Sequence, residues 1–217
     1  MSCNERLLPP NTKLIWEPAS ETTEQVTRIK QHDGVFVFNY EASVDPQSAS
    51  PQYLAPPRVA ALACAFVGLT AQQSGDYQGI SKNTVKASLT TAYGQLGIKK
   101  ARSGSRSPQS AHALSRVCEL GILELGKPAT LTNKLDHSTY ATVKWLLRGS
   151  SFTEIAVTAR KSPYVLKTEF YDARDKEGFD TTMGYLLHLV GAQVVGDITY
   201  KPELVPAPRH PLRINGA

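Results

Sequence analysis

Two spacings of apolar side chains divide the chain. Between residues 25 and 40, Val26 and Ile29 precede His32-Asp33-Gly34, and the β-forming run Val35-Phe36-Val37-Phe38-Asn39-Tyr40 follows. Asp33-Gly34 is a turn dipeptide, so residues 25–29 and 35–40 are expected to form a small β-hairpin. Two strands alone are marginal in water, and the hairpin is expected to pack on the rest of the chain or on a second subunit. From Arg58 the period becomes 3.6. Val59, Leu62 and Phe66 fall on one helical face, and Tyr140, Val143 and Leu147 repeat the pattern 81 residues later.

The repeat extends well beyond that helix. Gly68, Ser81 and Lys86 recur without a gap as Gly149, Ser162 and Lys167, each 81 positions on. Gly68 and Gly149 stand where a left-handed residue closes a helix. A short second helix is expected after each, then a turn ending at Ser81 or Ser162. Either serine suits the N-cap of a third helix, and Pro163 suits the first helical position of the second copy. In the third helix of copy one, Val85, Leu89, Ala92 and Leu96 form an inward stripe, leaving Lys82, Asn83, Lys86 and Thr90 outside. In copy two, Leu166, Phe170 and Ala173 face inward. Lys161, Tyr164, Lys167, Thr168 and Tyr171 lie outside. Gly97 and Gly178 end these helices. Fourth helices are expected over Ala111–Leu120 and Thr182–Gly191, running into Gly121-Ile122-Leu123 and Gln193-Val194-Val195, where the offset falls to 72.

Helix, turn and capped helix, twice in one register, is the pattern of two helix-turn-helix modules in tandem. The expected organisation is mainly α: an N-terminal arm and hairpin (1–53), a first helix-turn-helix domain (54–126), a second, diverged one (127–195), and an extended C-terminal tail (196–217). Residues 1–22, with Pro9, Pro10 and Pro18, read as an extended arm, and 41–57 as a linker. The tail holds one candidate strand at 197–200 before Pro202, Pro206, Pro208 and Pro211 break it.

Charge sharpens this picture. The net charge is +5, but residues 54–123 carry 8 basic and 2 acidic side chains, whereas 1–53 carry 4 and 7, and 135–195 carry 7 of each. A localised basic segment is the electrostatic footprint of a phosphate-binding surface. Part of it is the insert that copy one has and copy two lacks. Its Lys99, Lys100, Arg102 and Arg106 read either as an arm on the DNA backbone or minor groove, or as a solvated loop.

The stretch from Gly68 to Ile98 resembles the DNA-binding domain of LuxR-type (GerE-type) transcription regulators. Gly68-Leu69-Thr70, Ile80-Ser81, Thr84-Val85-Lys86 and Leu96-Gly97-Ile98 carry the resemblance. Gly149, Glu154-Ile155-Ala156, Ser162-Pro163, Lys167 and Gly178 carry it more distantly in the second copy. The resemblance implies a four-helix unit whose third helix enters the major groove. Thr84 and Lys86 would touch phosphates and bases, with Lys167 equivalent to Lys86. There are departures. Ser74-Gly75 replaces an apolar Ile-Ala pair, which predicts an irregular second helix. Val165-Leu166 replaces Thr-Val, and Glu169 stands where that family has histidine, which predicts weak reading of DNA by copy two or a role in assembly. The sensing or receiver domain usual in that family does not fit in the 53 N-terminal residues.

The function expected from these residues is sequence-specific binding of double-stranded DNA by a cytoplasmic transcription regulator of the compact kind suited to a mobile element. Ser81, Lys82 and the helix N-termini would anchor phosphates while Asn83, Lys86 and Thr90 read base edges. A homodimer is expected, with RNA polymerase or another regulator as a further partner. Two alternatives stay open: an interaction adaptor or antiactivator, and an architectural recombination accessory factor. No cofactor or metal is implied, because His32, His112, His137, His188 and His210 have no carboxylate or cysteine at ligand spacing. Cys64 and Cys118 read as core residues and Cys3 completes too small a set for a disulfide framework. No nucleophile-elbow, Walker or dinucleotide fingerprint occurs, so an enzyme is not expected. The longest apolar run, Val59–Leu69, is too short to span a bilayer.

Overall fold

The computed structural model describes residues 8–9, 11–17, 26–38, 54–98, 107–195 and 201. They form eight helices and a four-stranded antiparallel sheet in the order β1-β2-β3-β4. The strands are β1 (Thr12–Glu17), β2 (Val26–Gln31), β3 (Gly34–Phe38) and β4 (Leu123–Lys127).

The hairpin is β2 and β3. Gln31 pairs with Gly34, so the two-residue loop is His32-Asp33 rather than a turn centred on Asp33-Gly34, and His32 takes the left-handed conformation (φ 53°). The sheet extends the hairpin on both sides. The expected N-terminal arm supplies β1, which pairs with β2 along its whole length. The segment Gly121-Ile122-Leu123, expected to finish a helix, instead turns at Gly121 and leads into β4, which pairs with β3 around a bulge at Val35/Phe36. β4 also straddles the boundary drawn at residue 126.

The first four helices are α1 (Pro56–Phe66), α2 (Ala71–Gln78), α3 (Lys82–Gln95) and α4 (Ser107–Glu119). The second four are α5 (His137–Leu147), α6 (Phe152–Ala159), α7 (Pro163–Lys176) and α8 (Thr182–Gly191). The limits of α1, α2 and α3 recur in α5, α6 and α7 at the single offset of 81. Their caps recur as well. Thr70 and Ser151 each form a reciprocal capping box, with Gln73 and Glu154, at the start of the second helix. Ser81 and Ser162 cap the third helix by accepting from the backbone N–H of Thr84 and Tyr164. Helix α1 begins two residues before Arg58, because Pro56 and Pro57 occupy positions that need no N–H donor.

The second helix of copy one is regular, contrary to the expectation from Ser74-Gly75. Both residues are buried, Ser74 beside Cys64 of α1 and Gly75 against the turn into α3. A Cβ on Gly75 would lie 2.6 Å from the carbonyl oxygen of Ile80 and 3.2 Å from the amide nitrogen of Lys82. Glycine therefore lets α2 approach the turn that leads into α3. Ala156 is its counterpart in α6, 81 positions on, and is 2% exposed.

One hydrophobic core runs through all of this. Ile29, Phe36 and Phe38 of the sheet, Leu62 and Phe66 of α1, Leu114 of α4 and Leu186 of α8 belong to a single buried cluster. Phe38 stacks on Phe66 with ring centroids 6.2 Å apart, and Phe36 packs against Gly191 of α8. The sheet thus covers α1, α4 and α8. Cys64 is buried here, and Cys118 is half-buried at its edge. Of the tail, Lys201 is described: its N–H donates to the carbonyl oxygen of Leu125, and its ammonium pairs with Glu124. The candidate strand 197–200 lies outside the described residues. Among the described residues no helix is long and apolar enough to cross a membrane.

Carboxylates tie the connection between β4 and α5 to its surroundings. Asp33 accepts from Thr130 N–H and hydroxyl at 3.0 and 2.6 Å. Glu177 accepts from the N–H groups of Thr132 and Asn133 at 3.1 and 2.6 Å, and Asp136 caps α5. Hydrogen bonds from Thr130 hold the Asp33 carboxyl below its usual range, and those from Thr139 do the same for Asp136. Burial pulls Glu177 upward, but the donors from Thr132 and Asn133 and the nearby His188 outweigh it, so its pKa is lowered. Burial also lowers the pKa of His188, whose Nε2 lies 3.6 Å from Glu177. Every one of these folded-state values lies below its unfolded one. The stabilisation is therefore complete above the unfolded values and is lost as pH falls, first through 6.5 for His188 and then through the ordinary carboxylate range. Thermal melting between pH 7 and pH 3 should show a transition temperature that declines throughout. A flat profile would contradict the assignment.

Candidate nucleic-acid interface

Helix α3 projects the side chains singled out in copy one. Val85, Leu89, Ala92 and Leu96 are buried, and Ser81, Lys82, Asn83, Thr84 and Thr90 are exposed; Lys86 is half-buried. The helix contains two lysines and no acidic residue. Its N-terminal amides add a partial positive charge at the end where Lys82 and Asn83 stand. Two tethers set its tilt. Arg58 of α1 donates to Gln95 at 2.9 Å, and the buried Tyr93 hydroxyl bonds the Ser110 hydroxyl of α4 at 2.8 Å.

Three of the hydroxyls are already engaged along the helix. Ser81 Oγ accepts from Thr84 N–H and bonds Thr84 Oγ1, and Thr90 Oγ1 donates to the Lys86 carbonyl at 2.8 Å. Thr90 can still accept a hydrogen bond and offer its methyl group. Lys82, Asn83 and Lys86 have no ion-pair or hydrogen-bond partner among the described residues, so they supply the free donors of this face. Lys99, Lys100, Arg102 and Arg106 lie outside the described residues.

The equivalent face of α7 is built differently. Tyr164, Lys167 and Thr168 are exposed, with Tyr164 77% accessible, and Tyr171 is half-buried against Phe152 and Phe170. Thr168 Oγ1 donates back to Tyr164, as Thr90 does to Lys86. Glu169 does not stand unpaired on the outer face. It accepts from Ser138 of α5 at 2.7 Å and from Lys161 at 3.0 Å, and these bonds hold its pKa below the usual range. Glu169 is therefore a clasp between α7 and the start of α5, and it occupies Lys161. That lysine, expected to be a free cation, is committed within the molecule.

Sequence reasoning missed Arg160. It ends α6 in the left-handed conformation (φ 52°), at the position that Gly79 holds in copy one, and it is exposed without an ion-pair partner among the described residues. The offset of 81 from Gly79 was the available signal. Copy two also exposes apolar side chains at positions where copy one is polar. Val157, Tyr164 and Val165 correspond to Asp76, Asn83 and Thr84. Helix α7 balances Lys167, Arg174 and Lys176 against Glu169, Asp172 and Asp175, so α3 alone of the pair carries a net positive charge.

No protein-family model, curated protein or solved structure matches the chain.

Proposed function

We propose that the protein binds duplex DNA sequence-specifically and regulates transcription in the cytoplasm. The observation that carries this reading is the recurrence of one capped helix-turn-helix geometry at a constant offset, whose first copy presents an acid-free α3 with Lys82, Asn83 and Lys86 unpaired among the described residues. Such a helix fits the major groove, with its N-terminus against phosphate and its side chains on base edges. The LuxR-like pattern of Thr84-Val85-Lys86 supports the same placement.

The test is a fluorescence-anisotropy titration with the DNA upstream of the gene and with scrambled DNA, at low and moderate salt. A preference of about 10³-fold or more for the upstream DNA is in the range of specific regulators. Replacing Lys86 by alanine should weaken that binding by about 1–3 kcal/mol and lower the salt dependence if the ammonium also neutralises phosphate. Unchanged affinity would remove Lys86 from the interface.

The exposure of Val157, Tyr164 and Val165 supports a second reading, in which copy two docks a protein instead of DNA. RNA polymerase or another regulator is the partner class consistent with the proposed activity. Binding that is insensitive to salt and confined to a protein partner would replace the DNA reading by an adaptor role.

A further inference from the structure

Two modules in tandem along a chain can be related in two ways. If the second follows the first by translation, the surface that unit one offers to unit two differs from the surface that it receives, and both units read DNA in the same direction. If a two-fold axis relates them, the same patch serves on both sides: an element contacts its partner's counterpart, and the reverse contact exists too.

The contacts between the units are of the second kind. Helix α4 packs on α5, and α8 packs on α1, which is the same pair of helices with the units exchanged. Helix α4 also packs on α8, its own counterpart. The glycines that close α1 and α5 take part in both contacts. Gly68, which closes α1, sits against Thr181 at the start of α8, where an added Cβ would lie 2.7 Å from the Thr181 Cβ. Gly149, which closes α5, sits against His112 of α4, where an added Cβ would lie 3.3 Å from the His112 Cβ. Both glycines are left-handed, at φ 90° and 87°. A translational arrangement would give one of these contacts without the other.

The sheet locks the arrangement. It packs on α1 of the first unit, on α8 of the second, and on α4 through β4. In addition, Ala129 of the connecting segment donates its N–H to the carbonyl oxygen of Gly191 at 2.9 Å. Neither α3 nor α7 is among the helices that the sheet packs against. The main helix contacts of α3 and α7 are with helices of their own units.

We infer that one chain is a built-in dimer, and that a single molecule occupies an imperfect inverted repeat in duplex DNA. This rests on the DNA-binding reading above. The two half-sites are inverted because the units are related by a two-fold axis. They are unequal because Tyr164 and Val165 replace Asn83 and Thr84. Their spacing is fixed by the shared core, near a whole number of helical turns of about 10–10.5 bp. The homodimer expected from sequence is then not needed to fill the site.

The experiment is selection of bound duplexes from a random library by the full chain, followed by native mass spectrometry of the protein on the selected duplex. The expected result is an imperfect inverted repeat carrying one chain. Adding 5 bp between its halves, half a helical turn, should cost at least about tenfold in affinity. Lys167→Ala, at an exposed position, should relax selection in one half only. A direct repeat, a lone half-site, or two chains per inverted repeat would overturn the inference and leave DNA binding intact. Failure to enrich any sequence, with no salt-sensitive binding, would overturn the DNA-binding reading itself.

Discussion

Replacing Phe170 by alanine should lower the melting of the whole molecule, first unit included, by about 3–5 kcal/mol. Phe170 is 1% exposed and meets Phe152, Tyr171 and Tyr185 edge-on, with centroids 5.5–5.9 Å apart. Its removal opens a cavity among rings that cannot easily collapse into it. For a chain of this size the loss corresponds to roughly 6–20 °C in transition temperature. Two tryptophans make the result readable by region. Trp16 lies on β1 beside Tyr77 of α2, and Trp145 lies on α5 beneath Arg148. Because the buried cluster is continuous through sheet, first unit and second unit, both signals should move together in single-tryptophan variants. Early loss of the Trp145 signal with Trp16 unmoved would show that the units unfold separately.

Gly68→Ala is expected to destabilise by about 2–5 kcal/mol, from two causes that can be separated. A φ of 90° is strained for an alanine by about 1–2 kcal/mol. The added methyl group would also press on Thr181, and such overpacking costs about 1–3 kcal/mol. Gly97→Ala supplies the comparison, since its φ is 71° and an added Cβ meets nothing within 4 Å. It should show the backbone cost alone. Thr181→Gly in the Gly68→Ala background should restore the packing part, because glycine is a tolerable N-cap for α8. Equal losses for the two alanine variants would mean that the end of α1 does not press on α8.

The helices were legible because their signals are local. Ser81, Ser162, Pro163 and the glycines at 68, 97, 149 and 178 act on their own backbone and neighbours, so spacing alone finds them. Thr70-x-x-Gln73 and Ser151-x-x-Glu154 were equally local signals for the start of α2 and α6. The sheet was half legible. Val35–Phe38 declares itself, whereas Leu123–Lys127 contains a glycine and two charged residues and becomes a strand because β3 offers it an edge. That cause lies 85 residues away in the chain, beyond the reach of a local pattern. The fate of Lys161 was hidden for the same reason: its partner Glu169 is visible in sequence, but the Ser138 hydroxyl that completes the clasp comes from α5. The regularity of α2 was misread because Gly75 suggested weakness, when its function is close approach to the following turn.

The order of strands has a consequence for synthesis on the ribosome. β3 ends at residue 38, yet its outer partner β4 ends at 127 and the helix that covers it ends at 191. At roughly 5–20 residues per second, Phe36 waits about 8–30 s for Gly191 of α8, whereas Phe38 meets Phe66 of α1 far sooner. During that interval the nascent chain carries a short hydrophobic hairpin with one edge open. Helix α8 is therefore the element that completes the cover of β3.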